Sequence, residues 1–186
     1  MGKKRYVAYV GTYTHGTSKG IQVYDVDVEN GKLTERSEVE VSNASHLAVS
    51  KNGKYLYSIE DEGVAVFRRD KNGDLSRINS VDINGMRGCY LATDVDGRYL
   101  YVAGYHDGKV TVVHTHKDGR LGSVMDGVFH KGLGSVAERN FRPHVNCVRP
   151  RELADGFYKR LSVLRVVVNC HCMYLHFLSV LHILLE

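Results

Sequence analysis

Few stretches of this chain combine residue types that could do chemistry, and most of them fail on spacing or context. Gly16-Thr-Ser18-Lys-Gly20 has the form G-x-S-x-G, in which a strained turn presents a nucleophilic serine; that turn needs a strand before it and a helix after it. Here the next segment is the strand-forming Ile21-Gln-Val-Tyr24, which makes Ser18 a hairpin residue. His114 and His116 lie two residues apart, so a strand would put both imidazoles on one face, where they could chelate a metal. No third ligand follows at a fixed spacing, which leaves them as solvated strand residues. Cys170, His171, Cys172 and His176 gather four zinc-type donors, but Cys-x-Cys-x₃-His lacks the usual Cys-x₂₋₄-Cys spacing. Gly132-Leu-Gly134 is half of a dinucleotide fingerprint with no helical pattern behind it. No metal site is predicted.

Charge narrows the partners. The formal charge of +4 divides evenly, +2 over residues 1–148 and +2 over residues 149–186, with no basic stripe to follow a phosphate backbone, so nucleic-acid binding is not expected. The opening Met-Gly-Lys-Lys-Arg lacks an uninterrupted apolar run behind it, which argues against a secretory signal, and Tyr6 stands where a myristoylation pattern needs Ser or Thr. Without export the sequon Asn43-Ala44-Ser45 carries little meaning. The four cysteines are then expected as reduced thiols in the cytoplasm.

The elements that would position any site come from a repeat. Asn52-Gly-Lys-Tyr-Leu-Tyr57 returns as Asp96-Gly-Arg-Tyr-Leu-Tyr101, a shift of 44, and Ser45-His-Leu-Ala-Val-Ser50 returns as Cys89-Tyr-Leu-Ala-Thr-Asp94 at the same shift. Gly20-Ile-Gln-Val-Tyr-Asp25, Gly63-Val-Ala-Val-Phe-Arg68 and Lys109-Val-Thr-Val-Val-His114 follow in the same order, each trailed by a glycine turn and a leucine. The runs are rich in Tyr, Val, Leu and Ile, and Asn-Gly or Asp-Gly pairs supply the positive-φ positions of tight turns. Four short strands repeated at this period are the pattern of a β-propeller blade, which must stack on neighbours to cover both faces. The predicted fold is all-β: four-stranded antiparallel blades over about 5–42, 43–84 and 88–131, with the first strand of a fourth starting near Pro143. Blade one lacks a first strand before residue 5, a place that propellers commonly fill from the far C-terminus. Residues 122–142 read as an inserted loop. A β-sandwich has similar strands but does not require the 44-residue self-similarity.

Tyr9-Val-Gly-Thr-Tyr-Thr14, Gly20-Ile-Gln-Val-Tyr-Asp-Val-Asp27, Tyr99-Leu-Tyr-Val-Ala-Gly-Tyr-His-Asp-Gly108, Asp118-Gly-Arg-Leu-Gly122 and the Arg139…Pro143-His144-Val145 element together resemble the lactonase family of seven-bladed β-propellers, the 6-phosphogluconolactonase-like group. The resemblance covers residues 5–148. It implies hydrolysis of a sugar-acid lactone, typically the phosphorylated lactone of the pentose phosphate pathway, with no metal or organic cofactor and a small-molecule lactone as the partner. Muconate-lactonising cycloisomerases are similar on the same scaffold and form an alternative. By the same resemblance His144 and Arg139 are the candidate catalytic residues, and Tyr105 and His106 the candidate substrate-binding ones. Two departures bear on activity: the family often has Cys-His-Leu where Cys89-Tyr90-Leu91 stands, and a second histidine where Asn146 stands.

A ring of seven such repeats needs roughly 300 residues, so the chain is expected to hold less than half of it, an incomplete ring of about three blades plus one strand. The expected division is a propeller part over 1–148 and an atypical, non-homologous tail over 149–186. Residues 166–185 run without Lys, Arg, Asp or Glu at about the length of a membrane span, but Asn169 and three histidines interrupt the run and argue against one. Open blade edges would permit self-association. The non-enzymatic alternative is therefore a truncated propeller that binds partners or carries no activity.

Overall fold

The computed structural model describes residues 5–132, 143–151, 163–169 and 181–184. Among these residues every regular element is a strand, and every strand pairing is antiparallel. Strands β1 (Tyr6–Gly11), β2 (Gly20–Asp27) and β3 (Lys32–Glu40) form the first meander. β4 (Leu47–Val49), β5 (Tyr55–Glu60), β6 (Gly63–Arg69) and β7 (Leu75–Asp82) form the second. The third is β8 (Tyr90–Thr93), β9 (Tyr99–Gly104), β10 (Lys109–Thr115) and β11 (Leu121–Phe129), after which β12 (His144–Arg151) pairs with β13 (Val163–Asn169). A last strand, β14 (Leu181–Leu184), pairs with β1 and completes the first sheet in the order β14-β1-β2-β3. The vacant first-strand place of blade one is thus filled from near the C-terminus. The described sheets stack as an open row and do not close into a ring.

One expectation is corrected. The expected loop over residues 122–142 gives way to a strand: Leu121–Phe129 is the fourth strand of the third sheet, paired with β10 from Thr115↔Leu121 to Lys109↔Phe129. Gly127, Gly132 and Gly134 favour irregular chain by composition, but two register shifts along this pair absorb the irregularity at Gly127 without ending the ladder. Residues 133–142 lie outside the described part.

The period-two alternation of each middle strand sorts its side chains onto two blade interfaces. Leu56, Ala65 and Phe67 face blade one with Val7, Tyr9, Ile21 and Val23, while Tyr57, Ile59, Val64 and Val66 face blade three with Leu91, Leu100, Val102 and Val113. In blade three Tyr101 and Ala103 turn the other way, onto Val145 and Val148 of β12. Both faces of a middle strand are therefore buried, which is why these runs read as nearly continuous apolar sequence. Polar contacts lock the stack: the Tyr9 hydroxyl donates to the Gly73 carbonyl at 2.6 Å, and the Asn79 side chain both donates to and accepts from the Leu121 backbone at 2.8 and 3.1 Å. Gly119 has to be glycine, since a Cβ there would lie 2.2 Å from the Tyr55 ring. β4 packs on β8 and β8 on β12, so these three strands make a buried row, while β3 and β7 carry mainly exposed residues at the other edge.

Candidate functional site

The buried row starts each time at the same place in the repeat. The 44-residue shift that carries Ser45-His46-Leu47 onto Cys89-Tyr90-Leu91 has a counterpart in Pro143-His144-Val145, so His46, Tyr90 and His144 hold equivalent positions at the entry to β4, β8 and β12.

His144 is 7% exposed, and its Nδ1 lies 2.7 Å from the Tyr105 carbonyl oxygen. A carbonyl can only accept, so Nδ1 carries the proton and, in the neutral ring, Nε2 carries the lone pair. The ring lies flat on the Tyr105 ring, centroids 4.2 Å apart and planes 12° apart, and His106 meets the other side of this cluster edge-on to Tyr105 at 5.3 Å. The turn after β9 is held against the entry to β12: Gly108 has φ +63°, and a Cβ there would lie 2.7 Å from the Pro143 carbonyl oxygen. On the other side of the same turn, Asp107 accepts from the Met86 N–H at 3.1 Å, and the buried Lys109 ammonium donates to the carbonyls of Ile83 and Asn84 at 3.1 and 2.9 Å. One turn therefore fixes both the segment leading to Tyr90 and the ring of His144. Three of the four expected site residues, Tyr105, His106 and His144, come together; Arg139 lies outside the described residues.

Several residues at this site were not singled out from sequence. His46 is 7% exposed, and its Nδ1 accepts the Leu91 N–H at 3.2 Å, so the neutral ring carries its proton on Nε2. That is the opposite tautomer to His144. The His46 and Tyr90 rings are in contact, 4.4 Å between centroids. The packing of β8 on β12 brings Tyr90 near Cys147 and Arg149. Burial raises Tyr90 above the ordinary tyrosine value, Cys147 adds to the rise and Arg149 opposes it, so the phenol stays protonated near neutrality and can donate. Cys89 donates to the Val145 carbonyl at 3.3 Å, and burial pushes its thiol up to about 12, which leaves it without nucleophilic character. The signal that could have found His46 was the repeat itself, which aligns it with His144.

The remaining motifs take no part in this cluster. Ser18 bonds to Thr12 in the loop between β1 and β2, and the element after it is a strand, as expected of a hairpin residue. His114 and His116 contact each other edge-on at 4.8 Å, and among the described residues no group of three His, Cys, Asp or Glu is placed to hold a metal ion. Cys170, His171, Cys172 and His176 lie outside the described residues. Of the apolar run 166–185, the described parts are strands, and no described helix is long and apolar enough to cross a membrane.

Residues 7–152 match the family model described as lactonase, 7-bladed β-propeller. The 6-phosphogluconolactonase of Bacillus subtilis (strain 168) is 37% identical over 148 residues, which is 76% of this chain and 42% of that protein. A Formosa agariphila protein of the same name is 31% identical over 149 residues, 74% of this chain and 42% of its own length. The solved structure of the periplasmic gluconolactonase of Pseudomonas aeruginosa superposes with a TM-score of 0.74 at 30% identity, covering 78% of this chain and 44% of that one. The chain spans less than half the length of the relatives it matches. Repeat, sheet order and the match over 7–152 agree: the chain belongs to the lactonase family of seven-bladed β-propellers.

Proposed function

We propose that this chain acts in the hydrolysis of a sugar-acid lactone, the phosphorylated δ-lactone of the pentose phosphate pathway being the substrate that its relatives' names favour. What supports this reading is the family match over residues 7–152 together with the meeting of Tyr105, His106 and His144 at the entry to β12, where the proposed base is His144 Nε2. In the proposed reaction Nε2 takes a proton from water as the water oxygen bonds to the lactone carbonyl carbon. The tetrahedral oxyanion then collapses, the ring C–O bond breaks, and the imidazolium returns the proton to the departing alkoxide. Tyr105 and His106 are assigned to the sugar hydroxyls. In this reading Arg149 is assigned to the anionic end of the substrate, with Arg139 as a second cation from the sequence before Pro143. The two described cysteines, Cys89 and Cys147, are both free thiols, which fits a reducing cytoplasm.

The test is proton release by the purified chain with 6-phosphoglucono-δ-lactone and with glucono-δ-lactone, corrected for spontaneous opening. Turnover above background is expected, and His144→Ala should lower kcat about 10²–10⁴-fold, the range for loss of a positioned base. Absence of turnover, or a His144→Ala variant as fast as the parent, defeats the reading. One observation favours the non-catalytic alternative: Met125, Val128 and Phe129 on β11, the outer strand of its sheet, are each more than half exposed, apolar groups along an open edge that a second copy of the chain could pair with. Sedimentation velocity showing concentration-dependent dimers in a chain without turnover would support that alternative.

A further inference from the structure

We propose that Arg87 selects a phosphorylated lactone over a neutral one, its guanidinium receiving the substrate's phosphate at the loop end of the blades; the inference rests on the lactonase reading above. The first observation is where the residue stands. Consecutive strands run antiparallel, so the β1–β2, β5–β6 and β9–β10 turns leave the sheets at the same end as the connections that enter β4, β8 and β12. Hydrogen bonds tie these loops together: Asn43 accepts Thr14 N–H at 3.0 Å and donates to Asp61 at 2.6 Å. Arg87 itself lies between two anchors on the end of β9 and its turn, Met86 N–H to Asp107 at 3.1 Å and Cys89 N–H to the Ala103 carbonyl at 2.7 Å. The stretch that those anchors bracket carries Tyr105 and His106, and Tyr105 stacks on His144. The main chain thus holds Arg87 beside the candidate site.

The second observation is the state of the side chain. A guanidinium has five N–H donors, yet among the described residues that of Arg87 makes no hydrogen bond. Its contacts are an ion pair with Asp61 at 3.5 Å, longer than an ordinary N–H···O bond, and the face of the Tyr13 ring, 5.1 Å from Cζ to centroid. Tyr13 in turn lies parallel to His15, centroids 5.9 Å apart and planes 13° apart. The Arg87 side chain is 29% exposed, so its fork is open to solvent while its plane is supported by a ring. A phosphate brings the paired oxygens that such a fork matches, and a neutral lactone brings none. Asp61 is the counter-charge that an incoming anion must displace. Arg87 joins Arg149 and Arg139 at the anionic end, and it differs from the exposed Arg149 in being half-buried against a ring, which makes its contact directional.

The competing role is structural: an arginine that merely pins the β1–β2 loop to the β5–β6 turn. The ratio of kcat/KM for 6-phosphoglucono-δ-lactone to that for glucono-δ-lactone separates the roles, because loosened loops lower both rates and leave their ratio. Arg87→Gln should lower the ratio about 10–100-fold, the range for losing a hydrogen bond to a charged group. Tyr13→Leu, which removes the ring under the guanidinium, should lower it about 2–5-fold. Asp61→Asn removes the competing charge while its side-chain oxygen can still accept from Asn43, and should raise the ratio about 2–5-fold. Circular dichroism melts check folding; should Arg87→Gln not fold, the opposite shifts of Tyr13→Leu and Asp61→Asn, both at exposed residues, still decide. A ratio unchanged in Arg87→Gln, or lowered in Asp61→Asn, overturns the inference. A readout independent of turnover is calorimetric titration, in phosphate-free buffer, of the unsubstituted chain and of Arg87→Gln with 6-phosphogluconate and with gluconate. The unsubstituted chain should prefer 6-phosphogluconate, and the variant should bind the two acids nearly alike. If the chain opens no lactone, the lactonase reading fails and this comparison alone decides; no binding of 6-phosphogluconate, or equal affinity in chain and variant, then overturns the role of Arg87.

Discussion

Gly97 and Gly108 form a natural pair for testing how β12 is seated. Both turns have nearly the same backbone, φ +65° and +63°, and differ in what a side chain would meet: nothing within 4 Å at Gly97, the Pro143 carbonyl oxygen at 2.7 Å at Gly108. Gly97→Ala should therefore cost only the left-handed backbone preference, about 1–2 kcal/mol. Gly108→Ala carries that cost too, and must also move a backbone carbonyl by several tenths of an ångström to reach ordinary contact at 3.4 Å. The obstacle is main chain rather than the far end of a side chain, so the added cost is that of overpacking, about 1–3 kcal/mol. The assay is urea unfolding followed by far-ultraviolet circular dichroism, compared at equal slope so that the midpoints report stability alone. Because Pro143 leads directly into His144, Gly108→Ala should also weaken the Tyr105 hydrogen bond and lower any lactone turnover, which Gly97→Ala should leave in place. Two variants within about 0.3 kcal/mol of each other, inside ordinary additivity error, would refute the seating of β12 on this turn.

Other outcomes follow from burial and hydrogen bonding. The hydroxyls of Tyr9 and Tyr57 and the thiol of Cys89 are each pushed up to about 12, with burial the leading cause. Below about pH 7.5 all three groups hold their protons in both states; from the ordinary thiol and phenol values up to 12 the unfolded chain loses protons that the folded chain keeps, so stability must fall as pH rises, by at most about 1.4 kcal/mol per pH unit per group. Urea midpoints measured from pH 8 to 11 should drop, and Tyr57→Phe should flatten the drop; a flat profile in the parent would contradict the burial. Tyr9→Phe leaves the buried Gly73 carbonyl without its donor and should cost about 1–3 kcal/mol in the same assay, a neutral result meaning that the contact contributes nothing. Cys89 should react with iodoacetamide at pH 8 far more slowly than glutathione does; equal rates by mass spectrometry would show the thiol to be accessible and ionised.

The strands were legible because one constraint is written three times. A middle strand such as Leu56-Tyr57 or Leu100-Tyr101 must serve two interfaces at once, and its alternation, its flanking Asn-Gly or Asp-Gly turn and its return after 44 residues all report that constraint. β11 was missed because its function is different. As the outer strand of its sheet it carries exposed residues, so neither alternation nor apolar content marks it, and Gly127, with Gly132 and Gly134 after it, imitates a loop. β14 could be anticipated as a vacancy beside β1 but not located, since Leu181–Leu184 lies in an apolar run with no alternation to set a register. At the site, Tyr105, His106 and His144 were reachable through resemblance. The influence of Cys147 and Arg149 on Tyr90 was not, because β8 and β12 meet through a blade interface that no local pattern encodes.

The repeat places His46, Tyr90 and His144 at the same entry point of successive blades, yet the backbone around each differs. His144 gives Nδ1–H to the Tyr105 carbonyl, whereas His46 Nδ1 accepts the Leu91 N–H, which puts the proton of the neutral ring on Nε2. A backbone amide that belongs to the fold of blade three thereby sets the chemical character of a side chain from blade two, and Leu91→Pro, which deletes that amide donor, should shift His46 toward a mixture of tautomers that ¹⁵N spectra resolve. A His46 held wholly in the Nε2–H form in a folded Leu91→Pro chain would show that some other group fixes the proton, and the argument from blade three would fall.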